Sequence, residues 1–193
     1  MSDLMLDVGQ AQEIKMAARR AGATNADLKA LSESDMFSKI LLVLRGQAEV
    51  ALKKHMIDLS ADPLVPNGWT VVEHKKGGIL EWDPMNVQTH CDEGQKDDKH
   101  IRGYELRKKL EGERVLNANV LDHLLSHPEL IPEDWKRSGF GRYFWGTIYH
   151  RPGGPGNELF VRCLGWSGAE WVSGGFWLDD DWRSLHRALV LSK

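Results

Sequence analysis

The sequence predicts an α+β fold, with a helical N-terminal segment followed by a mixed unit that ends in an antiparallel sheet. Residues 10–60 place apolar side chains at helical spacing, whereas β-branched and aromatic runs alternate with glycine-rich turns from residue 143 onward. At 193 residues the chain is long enough for one domain, with or without a helical appendage. We therefore expect a helical segment over 1–60 and an α+β domain over 61–193, which can pack as a single domain.

Composition excludes several classes of protein. The chain has 25 basic and 28 acidic residues, and its net charge of −3 gives no strong field for nucleic acid or a membrane surface. Cys91 and Cys163 lie outside any CxxC pair, which favours a reducing compartment. We see no signal peptide, and the longest apolar run, ILLVL at 40–44, is too short to span a membrane and predicts a buried helix. We expect a cytoplasmic protein without a cofactor.

Three helices are predicted over residues 10–46. Gly22 and Gly46 end the first and third helices, and Thr24 or Asn25 can cap the second. The third helix carries a stripe at i, i+3, i+4 and i+7 spacing, which is typical of a face turned toward a core. The stripe consists of Phe37, Ile40, Leu41 and Leu44.

The first two predicted helices loosely resemble a helix-turn-helix. In that arrangement Arg19 and Arg20 can contact phosphate, and Lys29 lies on the helix that would enter the major groove. Asp27 and Glu33 on the same helix oppose this role, because they repel phosphate. Packing of the three helices against one another is the alternative interpretation.

The middle of the chain alternates turns with short elements. Residues 47–59 fit either a fourth helix or a short strand, and the prolines, Asn and Gly of 61–68 indicate a hinge or tight turn. Residues 69–82 predict a hairpin across Lys-Lys-Gly-Gly, 91–100 a charged loop, and 103–112 a short helix closed by glycine.

The stretch VLNANVLDHLLSHPELIPEDWK, residues 115–136, predicts well-specified scaffold. Asn117 can cap a helix, Pro128 stops it, and Pro132 opens a short turn. The helix carries one apolar stripe, formed by Val120, Leu121, Leu124 and Leu125.

Three antiparallel strands are predicted over 143–150, 159–166 and 171–178. Both of their faces carry apolar or aromatic side chains, more than a one-sided sheet requires. We expect the helices of 10–60 to cover the second face; the alternative is an exposed aromatic patch that binds a partner. The candidate partner-binding residues are Trp145, Trp166, Trp171, Trp177 and Tyr149.

His123 and His127 lie four residues apart, a spacing that places two zinc ligands on one helix face. No HExxH motif is present, and surface histidines are the alternative interpretation. A third ligand would come from the charged loop, where the candidates are His90, Cys91 and His100.

Other candidate chemistry has an ordinary structural explanation. The aspartates of 179–181 can hold Mg²⁺, but they can equally close a hairpin or cap a helix. Ser167 lacks a GxSxG context, Cys163 lies inside a strand, and GGPG at 153–156 predicts a turn. We therefore identify no catalytic residue and expect the protein not to be an enzyme.

Six stretches of the sequence carry a resemblance to known proteins: VLNANVLDHLLSHPELIPEDWK, YFWGTIYH, ELFVRCLGW, FWLDDDW, Asp62–Trp69 and Glu81–Pro84. Together they resemble a widespread family of uncharacterised bacterial proteins. The resemblance covers the chain from about residue 24 onward and departs at His123, where members often have tyrosine. It implies an intact natural unit and carries over no activity, cofactor or catalytic residue.

Three functional hypotheses follow. The first is a non-enzymatic binding protein that contacts a protein partner through the aromatic sheet, as a regulator or inhibitor from a mobile element. The second is a DNA-binding regulator that uses the N-terminal helices. The third is a metal-dependent hydrolase built on His123 and His127.

Overall fold

A computed structural model describes residues 7–51, 53–137, 139, 141–153 and 158–192. The chain forms two compact units, Met1–Lys53 and Lys54–Lys193. The α+β class is confirmed, with helices first and a mixed sheet after them. The division falls before residue 60 because Met56–Asp58 is a strand paired with Ile79–Glu81 in the second unit. Residues 154–156 of the predicted glycine-rich turn lie outside the described residues.

The first unit contains the three helices that the sequence predicts, α1 (Val8–Arg20), α2 (Asn25–Glu33) and α3 (Met36–Leu44). Capping boxes begin α1 and α2, the second through Thr24, whose hydroxyl accepts a hydrogen bond from the Asp27 N–H. Gly22 follows α1 with a φ of 76°, a left-handed conformation that glycine adopts without strain.

The helices of the first unit contain no buried residue. The prediction that ILLVL at 40–44 lies in a buried helix is therefore wrong for the single chain: the segment is helical, but Leu41 is 39% and Leu44 is 76% exposed. Three helices of 13, 9 and 9 residues are too small to surround an apolar helix.

The second unit is built on a mixed sheet that is six-stranded in the part of the chain described. In chain order the strands of the unit are β1 (Met56–Asp58), β2 (Thr70–His74), β3 (Ile79–Glu81), β4 (Val87–His90), β5 (Ile101–Arg102), β6 (Gly141–His150), β7 (Leu159–Trp166), β8 (Trp171–Trp177), β9 (Asp181–Trp182) and β10 (His186–Leu191). The large sheet has the order β4-β10-β6-β7-β8, and β2 also pairs with β6. The predicted antiparallel meander is β6-β7-β8, and β10 joins it parallel to β6.

The predicted hairpin over residues 69–82 is wrong, because β2 and β3 are both strands but pair elsewhere. β2 pairs with β6, and β3 pairs with β1. The central strand offers β2 specific partners: His74 Nδ1 lies 2.8 Å from Thr147 Oγ1, and the Lys75 N–H donates to the Gly146 carbonyl at 2.7 Å. These long-range contacts outweigh the local turn signal.

Both faces of the sheet are covered by helices of the second unit itself. On one face, Leu106 and Leu110 of the α4 segment (Gly103–Lys109, with Leu110 as C-cap) pack with Trp145 and Trp182. On the other, α5 (Ala118–Ser126) contributes Val120, Leu121 and Leu124, which pack with Phe144 and Leu164. The expected cover by the helices of 10–60 is thus corrected: α4 and α5 of the second unit supply the apolar stripes on the two faces.

The stretch from residue 115 to 136 folds as predicted. The side chain of Asn117 caps α5, accepting from the Asn119 N–H at 3.2 Å. A 3₁₀ turn at Pro128–Leu130 and the short helix α6 (Asp134–Arg137) follow. No described helix is long and apolar enough to cross a membrane.

Candidate metal centre

Three imidazoles converge at one end of α5. The nitrogen atoms that His55, His123 and His127 can offer to a metal all lie within 4.8 Å of one another. The ring centroids of His123 and His127 are 4.7 Å apart, and the His55 ring lies 5.5 Å from the first and 5.2 Å from the second. We call these three residues the histidine cluster.

The packing of α5 positions two members of the cluster. Leu121 and Leu124 are fully buried, so the helix cannot rotate without opening the core, and His123 between them is held at the half-buried edge. His127 is the C-cap, and its N–H donates to the Leu124 carbonyl at 3.2 Å. Pro128 begins the next turn, so α5 ends at His127 and the imidazole of His127 lies at the end of the helix.

The third member comes from the segment that leads into β1. The carbonyl of His55 accepts a hydrogen bond from the Trp82 N–H at 2.8 Å, and Ile57 two residues later is buried. The amide of Asn119 in α5 donates to the Asp58 carbonyl at 2.8 Å and to the Ala61 carbonyl at 2.9 Å. These contacts fasten β1 to α5, so His55 is fixed relative to the other two histidines.

A carboxylate orients one imidazole of the cluster. His127 Nδ1 lies 3.3 Å from Glu129 Oε1. Such a contact holds Nδ1–H and leaves Nε2 as the ligand atom, an arrangement common behind metal-binding histidines. Hydrogen bonds from its own backbone N–H and from His127 hold the pKa of the Glu129 carboxyl below its usual value, so this partner is an anion at neutral pH.

The cluster borders an open groove of about 480 Å³, whose lining includes His123, His127 and three carboxylates. Two of them, Asp58 and Asp62, are exposed. The third, Asp122, is engaged by Arg162 through two hydrogen bonds of 2.7 and 3.1 Å. The groove thus combines imidazole nitrogens with a lining of carboxylates, which suits a cation.

The Asp122–Arg162 pair anchors α5 to β7. Arg162 is only 6% exposed and also donates to Ser173 Oγ on β8. Burial alone acts to lower the pKa of Arg162, but the hydrogen bonds and charge of Asp122 outweigh it and raise the pKa. Asp122 is therefore held in a structural ion pair with Arg162, beside His123.

The geometry of the cluster fits a tetrahedral metal after small side-chain adjustments. Ligand nitrogens bound to zinc lie about 3.3 Å apart, a distance that follows from Zn–N bonds of about 2.0–2.1 Å. The nitrogen atoms of the cluster lie within 4.8 Å of one another, so the most distant pair must approach by up to about 1.5 Å to reach that distance. Three protein ligands leave the fourth position to water or a substrate, as in catalytic zinc sites.

His123 and His127 were candidates from the sequence, and the third member of the cluster is His55 rather than a residue of the charged loop. No described residue of the charged loop joins the cluster: His90 is in β4, Cys91 Sγ lies 3.9 Å from the Asp92 carbonyl oxygen, and His100 Nε2 lies 3.7 Å from Asp181 Oδ1. His55 was missed because no local motif surrounds it. Only the contact between β1 and α5 brings it to the cluster.

The other candidate residues are dispersed. Trp145 and Tyr149 are 3% and 0% exposed and belong to the interior. Trp166 and Trp171 are half-buried, with ring centroids 5.2 Å apart, and Trp177 is half-buried at the end of β8. The aromatic surface is thus confined to the β7–β8 side of the sheet.

The candidate DNA-contacting residues lie on the first unit. Arg19 and Arg20 occupy the last turn of α1, and Lys29 on α2 lies 3.9 Å from the Glu33 carboxylate. The aspartate run at 179–181 forms a turn and the start of β9, where Asp181 lies 3.6 Å from Arg102. Asp181 therefore has a cationic side chain, Arg102, within ion-pair distance.

No family model, curated protein or solved structure matches the chain.

Proposed function

We propose that this protein binds one divalent transition metal of the zinc class through His55, His123 and His127 and uses it for hydrolysis. The observation that carries the proposal is the convergence of three imidazoles from two separate parts of the chain, two of which, His123 and His127, line an open groove. It develops the third sequence hypothesis and replaces the charged loop with His55 as the source of the third ligand.

The ligand set favours this chemistry. Neutral imidazoles suit Zn²⁺, Cu²⁺ and Ni²⁺ more than Mg²⁺ or Ca²⁺, which require oxygen ligands. A zinc ion with three protein ligands lowers the pKa of its bound water to about 7 and so supplies hydroxide at neutral pH. The carboxylates of Asp58 and Asp62 line the same groove and favour the bound cation. Glu129 has the positioning role, acting through His127.

Metal content tests the binding step. The chain is purified without a polyhistidine tag, incubated with one equivalent of Zn²⁺, passed through a desalting column and analysed by mass spectrometry of elements. We expect about one equivalent in the wild type and less than about a tenth in His55→Ala and His123→Ala, because two remaining imidazoles hold zinc weakly. His100→Ala, the matched control from the charged loop, should keep the full equivalent.

Two results would contradict the assignment. Equal loss of zinc in His100→Ala would return the charged loop to the ligand set, and a wild type without zinc would remove the metal site altogether. Turnover is measured separately, with chromogenic ester and phosphodiester substrates before and after chelation. Full zinc occupancy without chelator-sensitive turnover would limit the protein to metal binding and end the hydrolase proposal.

A second candidate function is protein binding through the aromatic side of the sheet. β8 is an edge strand with Val172 39% exposed, and half-buried Trp171 and Trp177 lie at its two ends. An extended segment of a partner can add to such an edge by main-chain hydrogen bonds while aromatic side chains provide contact area. We expect Trp171→Ala/Trp177→Ala to lose a stoichiometric partner recovered from host lysate while far-ultraviolet circular dichroism stays unchanged. Retention of that partner would exclude this surface.

A further inference from the structure

The groove beside the histidine cluster lies between α5 and the segment that runs from β1 to Leu64. The helix lines it with residues at i, i+3, i+4, i+7 and i+8 spacing, on the side opposite the apolar stripe that packs on the sheet. They are Asn119, Asp122, His123, Ser126 and His127. A molecule bound in this groove therefore contacts the polar side of α5 next to the candidate metal.

Two carboxylates of the groove have no counter-ion among the described residues. Asp58 and Asp62 are exposed, and neither has a described cation within ion-pair distance. Lys54, the cation closest to them along the chain, instead lies 2.8 Å from the Glu81 carboxylate. The histidine cluster is the one group of three possible metal ligands in the described parts of the chain, so these carboxylates do not form a second site of that kind.

The groove stays negative when the metal is counted. A Zn²⁺ ion with its bound hydroxide carries one positive charge, which the Glu129 carboxylate balances. Asp122 is paired with Arg162, so this pair adds no net charge. Asp58 and Asp62 therefore leave an excess of negative charge, which disfavours anionic substrates such as phosphodiesters and attracts cationic ones.

The acidic segment lies about one helical turn from the metal ligands. Asn119 precedes His123 by four residues, about 6 Å along the helix axis. Its amide donates to the carbonyls of Asp58 and Ala61 at 2.8 and 2.9 Å, which places the acidic segment at this turn of the helix. An extended lysine side chain spans about 6 Å from Cα to Nζ, so it matches the step from the metal to the carboxylates.

Apolar side chains of the groove suit the methylene part of such a side chain. Met56 and Leu64 line the groove and are 52% and 58% exposed. The backbone of Leu64 is held in place, because its carbonyl accepts a hydrogen bond from the Tyr149 hydroxyl at 2.9 Å. Long cationic side chains place their methylene groups on apolar surface and keep the charged end among polar groups.

We infer that the substrate is an acyl compound with an ammonium or guanidinium group beside the scissile bond, as an ester or amide of lysine or arginine has. This inference rests on the proposed metal centre and names the substrate class of the same groove. Hydrolysis uses one water molecule: its oxygen bonds to the acyl carbon and keeps one hydrogen. The bond from that carbon to the leaving oxygen or nitrogen breaks, and the leaving atom keeps the electron pair and takes the second proton.

The experiment compares two zinc-binding probes that differ in one charge. Nα-acetyl-lysine hydroxamate and Nα-acetyl-norleucine hydroxamate are titrated into the zinc-loaded full chain at low salt, by isothermal titration calorimetry. We expect the lysine probe to bind about tenfold more tightly, because two exposed carboxylates each add a modest attraction. In Asp58→Asn/Asp62→Asn the two dissociation constants should agree within about twofold, since asparagine keeps the shape and removes the charge.

The matched control removes the same charge outside the groove. Asp97→Asn/Asp98→Asn changes two exposed aspartates of a turn whose φ angles are 53° and 61°, a conformation that asparagine adopts readily. This variant should keep the full preference for the lysine probe. Zinc content is measured for every variant before titration, so that a difference between the probes is never a difference in metal loading.

Four outcomes would overturn the inference. Equal binding of the two probes by the wild type, a preference that survives in Asp58→Asn/Asp62→Asn, or a preference that the control variant loses equally would each end it while leaving the metal centre intact. Zinc-loaded wild type that binds neither probe would contradict the proposed open metal site, and the inference would fall with it. The failure of the substrate class and the failure of the proposed function are thus separate results.

Discussion

The two units of this protein obtain their order in opposite ways. In the first unit, local signals are complete: Asp7 and Thr24 begin helices with capping boxes and Gly22 ends one, yet no helical side chain is buried. In the second unit, strands pair with partners far away along the chain, as β2 does with β6, and side chains such as Leu121 and Leu164 are fully buried. Caps and turns determine where helices begin and end, but burial determines stability and brings distant residues such as His55 and His123 together.

The largest expected effect is a loss of stability of the second unit when a buried leucine, rather than an exposed one of the first unit, is truncated. Leu121→Ala should lower the free energy of unfolding of the second unit by about 3–4 kcal/mol, because it leaves a cavity in a fully closed core. Leu42→Ala, at a side chain 43% exposed on α3, should change it by less than about 0.5 kcal/mol. Urea unfolding followed by tryptophan fluorescence reports on the second unit alone, since all eight tryptophans lie between residues 69 and 182.

Equal losses in the two leucine variants would break the comparison, because they would mean that the units unfold as one. An unchanged stability in Leu121→Ala would instead contradict the packing of α5 against the sheet. A conservative variant, Leu121→Met, is the control for side-chain volume and should lose less than about 1.5 kcal/mol.

The next effect tests the anchor between α5 and β7. Asp122→Ala should cost about 3 kcal/mol, because it leaves Arg162 buried without its carboxylate partner. Urea unfolding of the apoprotein measures this loss. The double variant Asp122→Leu/Arg162→Met should recover much of it, because no charge then remains buried. A double variant as unstable as Asp122→Ala would show that the pair has a role beyond charge compensation.

An acid-induced loss of stability is expected from His186, whose ring lies 4.2 Å from that of Phe176. Burial, and secondarily the charge of Arg183, lowers the pKa of His186 from 6.5. The unfolded chain therefore binds this proton more readily than the folded one, so stability is full above pH 6.5 and declines as the pH falls below it. One such group contributes at most about 1.4 kcal/mol per pH unit.

His186→Asn isolates this contribution, since the asparagine oxygen can accept the Arg183 N–H that donates to His186 Nδ1 at 3.1 Å. Urea titrations at pH 7.0 and 5.5 in EDTA should show a smaller loss for the variant than for the wild type. Parallel losses in the two proteins would assign the acid sensitivity to other groups.

The sequence predicted the elements better than their partners. Helix ends near Gly22 and Asn117 and the turn between β7 and β8 depend on neighbouring residues, so local sequence patterns predict them. The pairing of β2 with β6 depends on contacts such as His74 with Thr147, which no local pattern contains. The candidate site follows the same rule: His123 and His127 share one helix end and have a spacing that local sequence shows, whereas His55 comes from the distant segment that leads into β1.

The smallest effect concerns the arginines of the first unit. Arg19→Ala/Arg20→Ala should change stability by less than about 0.5 kcal/mol, because both side chains are on the exposed last turn of α1.

The DNA-binding hypothesis requires these arginines, since Lys29 already lies beside Glu33. Two arginines neutralise about two phosphates. In fluorescence anisotropy with duplex DNA, this hypothesis predicts weak binding, and the logarithm of the association constant should fall with a slope of about −2 against the logarithm of the salt concentration. Binding that resists salt, or that persists in the double variant, would place any nucleic-acid surface elsewhere.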